Sequence, residues 1–255
     1  RDVRPLFMNM MLQEIKRRYK AMKTRQAKDW WTLTFCDPVS WAILSVVGDW
    51  KWITPWGITV LSLFIRIWGA VFIALGDGNT SLWGVVLIQF GVVMDHMDGN
   101  LARYRNITSL TGAFMDRIFD GLSFLAIISG LGWVAVKQGS PTYLLFLAPL
   151  TGAFYLMICY MYWSYAYYEL KEFGKSKIVN PGAIVTDLSE VPTWKIILTG
   201  QYRIMNFHHI DYYFWVSVSV LAGKPALGVW LLFTILGINM LLRFKLRLKA
   251  ISKFE

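Results

Sequence analysis

The stretch MDHMDGNLARYRNITSLTGAFMDRIFD, residues 94–120, lies between two strongly apolar segments and carries four aspartates: Asp95, Asp98, Asp116 and Asp120. The chain around it has 255 residues, of which 56% are hydrophobic and only 16% are charged. Soluble domains average about 25% charged residues, so this composition is typical of an integral membrane protein. Each aspartate within a membrane costs roughly 2.5 to 3.5 kcal/mol, and four of them therefore need a physical reason.

Six apolar segments around this stretch are predicted as membrane spans, on the basis that a bilayer core of about 30 Å requires roughly 20 helical residues. They cover residues 54–75, 82–103, 110–136, 142–168, 209–223 and 225–243. The sequence thus predicts an all-α integral membrane protein with six transmembrane helices plus an N-terminal cytoplasmic amphipathic helix. We predict two parts, an N-terminal cytoplasmic amphipathic and juxtamembrane segment at 1–50 and a six-helix transmembrane domain at 51–255.

Charge is distributed unevenly between the two sides of these spans. Three short separators, at 76–79, 137–142 and 222–226, contain turn residues and only Lys137 and Lys224 of the chain's 26 lysines and arginines. The positive-inside rule therefore places both termini in the cytoplasm.

Two further segments are predicted to lie on the cytoplasmic membrane surface. Residues 11–28 combine apolar residues at helical spacing with a dense basic face, which suits an anionic leaflet. Residues 186–201 have capping residues ahead of an apolar pattern and are predicted as a second interfacial helix. The net charge of +10 follows the topology, so nucleic acid is not an expected partner.

The four aspartates are predicted to face one another across a helical hairpin. At 100° per residue, Asp95 and Asp98 share one face of the second span, and Asp116 and Asp120 share one face of the third. Thr108 or Ser109 is expected to cap the third span.

Clustered carboxylates repel one another unless cations neutralise them. Arg103 and Arg117 could pair with two of the four, which leaves like charges crowded together. A cytoplasmic vestibule in which the carboxylates are hydrated would explain their depth but not their facing arrangement. Hard divalent cations explain the facing arrangement better, because magnesium, manganese and calcium prefer oxygen ligands. Two ions could share four carboxylates. Zinc is disfavoured, since His96 is the nearest imidazole and His208 and His209 lie far along the chain.

Small residues accompany the aspartates on both faces. Gly99, Ala102 and Gly112 would let an extended ligand lie against the helix backbones, and Arg103 has the planar guanidinium that suits phosphate oxygens. Small residues between helices also serve simply as packing devices. Beside four aspartates, we interpret them as a groove for a phosphorylated ligand.

The complete pattern is Asp95-x2-Asp98-Gly99-x2-Ala102-Arg103-x8-Gly112-x3-Asp116-x3-Asp120. It resembles the signature of the CDP-alcohol phosphotransferases at every fixed position. ITPWGITVLSL, at 53–63, is similar to the family's usual opening of the first span, with Trp56 where the family commonly has asparagine.

The resemblance implies a function in phospholipid synthesis for the transmembrane domain, which would be its catalytic domain. A phospho-alcohol would pass from a CDP-alcohol to the hydroxyl of an acceptor, with release of CMP. Two Mg²⁺ or Mn²⁺ ions would be held by Asp95, Asp98, Asp116 and Asp120, with Asp120 also the base. A set of residues comprising Asp95, Asp98, Gly99, Ala102, Arg103 and Gly112 would bind the CDP moiety. Homodimers are usual in the family; the spacing of Ala148 and Gly152 is a weak sign of helix association here.

Cationic residues outside the motif are candidates for binding the acceptor. Arg66, in the middle of the first span, should face the bundle interior and either pair with an aspartate or contact a substrate phosphate. Lys175, Lys177 and Arg203 flank the cytoplasmic mouth, where the positive-inside rule alone also accounts for them.

A different class of function remains open from the residues alone. Intramembrane acids also mark the ion path of cation channels and ion-coupled transporters. Many transporters show paired repeats or broken helices, and the sequence has no evident repeat of that kind.

Overall fold

The computed structural model describes residues 4–23, 30–76, 78–175, 191–201 and 209–252. Every regular element in these ranges is helical. In chain order they are α1 (Arg4–Met22), a π-helix (Thr32–Cys36), α2 (Asp37–Val47), α3 (Pro55–Leu75), α4 (Gly78–Tyr104), α5 (Leu110–Lys137), α6 (Leu144–Phe173), α7 (Thr193–Gln201), α8 (His209–Leu221) and α9 (Pro225–Ile251). The predicted all-α fold is confirmed for the described residues.

Five of the helices, α3, α4, α5, α6 and α9, are long and apolar enough to cross a membrane, with 21 to 30 residues each. Several large apolar side chains on them are more than half exposed, among them Phe64, Trp68, Phe146, Tyr160 and Leu241. Such a surface is stable when lipid covers it, so the chain is a multi-pass membrane protein. Helix α8 has 13 residues, about 20 Å of helix, and the sixth span therefore stays a prediction.

The helix ends follow from local sequence. Thr54 and Ser109 accept backbone hydrogen bonds from Gly57 and Gly112, at 3.1 and 3.0 Å, and so cap α3 and α5. Ser109 was one of the two residues predicted to cap this helix. The predicted separators also end helices: Gly139 and Gly223 have φ of 90° and 64°, which other residues rarely adopt.

Helices form at the N-terminal segment and at the predicted interfacial segment, although their contact with a membrane surface stays a prediction. Helix α1 begins at Arg4, whereas the amphipathic prediction covered 11–28, of which 24–28 lie outside the described residues. Helix α7 begins at Thr193 within the predicted 186–201 segment, of which 186–190 lie outside the described residues.

The chain divides into two compact units. The first unit contains Arg1–Arg66, Leu87–Phe119 and Val185–Phe214, and the second contains Ile67–Val86, Asp120–Ile184 and Trp215–Glu255. Helices α3, α4 and α5 each begin in one unit and end in the other.

In the first unit, α1 packs on α2, a short helix that was not predicted separately from the N-terminal segment. Trp41 of α2 is fully buried, and its ring meets Tyr19 edge to face at 6.3 Å. Arg18 donates to the Ser45 and Val46 carbonyl oxygens, both at 3.3 Å, and thus satisfies the last turn of α2. Tyr19 also lies 3.2 Å from the Thr193 hydroxyl of α7.

In the second unit, glycines bring helix backbones close together. A Cβ on Gly130 of α5 would lie 2.8 Å from the Ala70 carbonyl oxygen of α3. A Cβ on Gly132 would lie 2.5 Å from the Cβ of Ala148 on α6. Small residues at these positions therefore set the helix spacing in this unit.

Candidate active site

Three of the four predicted aspartates meet in the first unit. Asp95 and Asp98 of α4 and Asp116 of α5 each offer a carboxylate oxygen, and these oxygens all lie within 4.8 Å of one another. Asp95 and Asp98 are 9% and 7% exposed. The three-residue spacing puts both on one face of α4, and the turn that ends with Ser109 returns α5 alongside it.

The donor set fits a hard divalent cation. All three ligands are carboxylates, and oxygens on opposite sides of a magnesium ion lie about 4.2 Å apart, so small rotations would let the three carboxylates hold one ion and leave its other positions for water or phosphate oxygens. When ionised, the three carboxylates carry three negative charges, and Arg66 contributes one positive charge. The net charge of −2 would be balanced by one divalent cation.

Arg66 of α3 is fully buried and its Nη2 donates to Asp95 Oδ1 at 2.9 Å. The structure thus shows the first of the two predicted possibilities for Arg66, pairing with an aspartate. Gly91, one helical turn before Asp95, makes room for this side chain, since a Cβ there would lie 2.5 Å from Arg66 Cγ. Sequence reasoning missed Gly91, although its position on the aspartate face of α4 was a usable signal.

Thr59 of α3 donates a hydrogen bond to Asp98, as Arg66 does to Asp95. Its hydroxyl reaches both Asp98 Oδ2 and the Pro55 carbonyl oxygen, and the ionised carboxylate is the stronger acceptor. Thr59 is 5% exposed and lies two helical turns before Arg66 on α3. Mutating a residue that hydrogen-bonds to a metal ligand typically lowers metal affinity or activity by about 10- to 100-fold. Thr59 lies within the stretch that resembles the family's first span, but its role was not predicted.

Asp120 lies one helical turn after Asp116 on α5, is 7% exposed and belongs to the second unit. Its place on the same helix face agrees with the sequence pattern. The predicted convergence of all four carboxylates is established only for the three in the first unit.

The other predicted residues occupy several environments. Arg103 is exposed, and its Nη2 would lie 3.0 Å from a Cβ placed on Gly99. Ala102 and Gly112 are partly buried. Lys175 is exposed beyond the end of α6, whereas Lys177 and Arg203 lie outside the described residues.

The chain matches the family model of the CDP-alcohol phosphatidyltransferases over residues 52–187, which is just over half of its length. No curated protein is similar enough to the chain to count as a match. The matched range contains the whole aspartate motif, and enzymes of this family use divalent metals. The resemblance drawn from the motif is therefore confirmed, and the chain belongs to the CDP-alcohol phosphatidyltransferase family of phospholipid synthesis.

Proposed function

We propose that this chain transfers a phospho-alcohol from a CDP-alcohol to the hydroxyl of an acceptor alcohol, releases CMP and uses two divalent ions, Mg²⁺ or Mn²⁺. The observation that carries the proposal is the meeting of Asp95, Asp98 and Asp116, backed by Arg66 and Thr59. A bound divalent ion would neutralise the diphosphate charge and make CMP a better leaving group.

The aspartates would divide the work. Asp95, Asp98 and Asp116 would bind metal, while Asp120 would contribute to the second ion and accept the proton of the attacking hydroxyl. The acceptor oxygen would bond to the phosphorus that carries the alcohol as the bond from that phosphorus to the CMP oxygen breaks.

The CDP moiety would lie against the small residues of the motif. Gly99, Ala102 and Gly112 would line the nucleotide pocket, and the exposed Arg103 guanidinium, which lies beside Gly99, would offer donors to phosphate oxygens. Asp95 and Asp98 would meet the same ligand through the metal.

Acceptor binding would fall to cationic residues at the cytoplasmic mouth. We propose Lys175, Lys177 and Arg203 for this role. Arg66, fully buried against Asp95, would act through that carboxylate and influence the acceptor indirectly.

We further propose a cytoplasmic active site, cytoplasmic termini and a homodimer. The basic residues near the helix ends support the orientation. Ala148 and Gly152 pack against α5 within the same chain, so a dimer interface would use other residues.

The test is CMP release by purified protein supplied with Mg²⁺, a labelled CDP-alcohol and candidate acceptors. Metal-dependent CMP release would support the transferase. Ion flux through reconstituted protein without CMP release would support an aspartate-lined channel or ion-coupled transporter and reject the proposal.

A screen of donors would then identify the substrates. CDP-diacylglycerol with small polar alcohols such as inositol phosphate, serine or glycerol phosphate forms one arm. CDP-linked headgroups with a lipid hydroxyl form the other, and the productive arm shows which side of the reaction is the lipid.

A further inference from the structure

Helix α4 has a second buried polar face beside the aspartates. His96 and Asn100 lie one turn apart on it, and they are 7% and 4% exposed. Both side chains contact the segment between α1 and α3. His96 Nε2 lies 3.3 Å from the Thr32 hydroxyl of the π-helix, and Asn100 contacts α2. This segment precedes residue 52, where the family match begins.

Asn100 links α2 to Arg103. Its Nδ2 donates to Asp37 Oδ1 at 3.2 Å and to Ser40 Oγ at 2.9 Å, and its Oδ1 accepts from Arg103 Nη2 at 2.9 Å. Asp37 and Ser40 are both fully buried. A guanidinium can only donate and an ionised carboxylate can only accept, so these partners fix which way the Asn100 amide faces.

Gly99, which has no side chain, leaves the space that the Arg103 guanidinium occupies. A Cβ there would lie 3.0 and 3.1 Å from Nη2 and Nη1, so the guanidinium rests where a side chain at this residue would begin. An exposed arginine otherwise samples many rotamers, and ordering one on ligand binding costs affinity. Holding the guanidinium in advance removes part of that cost.

We propose that Asn100, anchored by Asp37 and Ser40 of α2, is a positioning residue that holds Arg103 over Gly99 ready to receive the diphosphate of the CDP-linked donor. The inference rests on the proposed function, because it takes Arg103 as a donor-binding residue. It adds that α2, outside the matched range, helps to shape the nucleotide side of the site.

The first experiment is a double-mutant cycle between Asn100→Ala and Arg103→Ala. Asn100→Ala should raise the KM for the CDP-alcohol about tenfold and change kcat less than about threefold, the size expected for losing one charge-assisted hydrogen bond. CMP binding at saturating Mg²⁺, measured by equilibrium dialysis, should weaken by a similar factor. In the Arg103→Ala background, the same change should add less than about twofold, because Asn100 acts through Arg103.

A second experiment exchanges the two side chains. Asn100→Asp alone sets two carboxylates against each other and should weaken CMP binding more than Asn100→Ala. Adding Asp37→Asn places an amide at position 37, which can donate to the carboxylate at position 100. That carboxylate can also accept a hydrogen bond from Arg103. The exchanged pair should return CMP binding to within about threefold of wild type, because the contact with Arg103 is restored together with the contact to α2.

Ser45→Ala is the matched control. Ser45 is 3% exposed and lies on α2 with Asp37 and Ser40, but its hydroxyl donates to the Ala42 carbonyl oxygen. It should leave KM and CMP binding unchanged. Additive effects in the double-mutant cycle would overturn the inference, and so would an exchanged pair that binds CMP no better than Asn100→Asp. CMP release by the wild-type protein would still support the proposed function in either case. Wild-type protein that neither binds nor releases CMP would overturn both.

Discussion

The two units of the chain offer two different kinds of close contact between helices. In the first unit, buried polar groups bond across helices: Arg66 to Asp95, and Asn100 to Asp37. In the second unit, glycines let backbones approach, as Gly130 does with Ala70. Buried charged groups are costly in a membrane, and they therefore usually mark sites that bind a ligand or an ion.

Helix α4 shows the contrast within one element. In the second unit, a Cβ on Gly84 would lie 2.8 Å from the Gly69 carbonyl oxygen, so this glycine admits a neighbouring backbone. In the first unit, Gly91 admits the Arg66 side chain. The same residue type therefore sets helix spacing at one position and supports the aspartate cluster at another.

Removing the proposed base should have the largest effect on the transfer reaction. Asp120→Asn should lower kcat by about 10²- to 10⁴-fold and leave CMP binding partly intact, because the amide cannot accept the hydroxyl proton. Steady-state CMP release and equilibrium dialysis measure the two quantities. Glu172→Gln, which changes an exposed carboxylate of α6, is the control. Nearly normal transfer by Asp120→Asn would refute its role as the base.

Removing the buried cation should have the next largest effect. Arg66→Met leaves Asp95 without its buried partner, which typically costs about 3 to 5 kcal/mol. We expect a lower Tm in the absence of metal. Added Mg²⁺ should raise the Tm of Arg66→Met more than that of wild type, because the ion supplies the missing positive charge. An equal Mg²⁺ response of the two proteins would contradict the electrostatic role of Arg66.

Much of the site and fold could be predicted from the sequence, for a geometric reason. Asp95 and Asp98 share a face through helical spacing alone, and the short turn before Ser109 makes α5 return beside them. Which side chain of α3 meets Asp98, and which one lies against Gly91, depends on the face of α3 that packs against α4, and spacing along one helix does not contain that information. Helix α2 was not predicted because a helix of 11 residues is too short to span a membrane.

One glycine substitution in each unit separates helix packing from support of the aspartates. Gly91→Ala and Gly130→Ala each add one methyl group where space is lacking, and each should destabilise the protein by about 1 to 3 kcal/mol. Only Gly91→Ala should also change the Mg²⁺ concentration required for half-maximal CMP release, because it displaces Arg66. Thermal unfolding measures the first effect, and Mg²⁺ titration of activity measures the second. The same shift in both variants would show that the two units are not functionally distinct.

The smallest expected effect concerns α1, away from the site. The hydrogen bond from Arg17 holds the pKa of Glu14 at about 2, below its ordinary value of 4.5. Its contribution to stability is therefore present above about pH 4.5 and declines as the pH falls toward 2. Glu14→Gln should lower the Tm by less than about 2 °C at pH 6, and the difference should shrink by pH 3. A difference that grows on acidification would contradict this sign.

Direct counting of bound metal tests the central claim, which is that Asp95, Asp98 and Asp116 bind divalent cations. Purified protein is titrated with Mn²⁺ in the presence of CMP, and the free ion is followed by electron paramagnetic resonance. We predict about two bound ions per wild-type chain, by the two-metal proposal, and the loss of at least one in Asp116→Asn. Equal uptake of Mn²⁺ by wild type and Asp116→Asn would contradict the account.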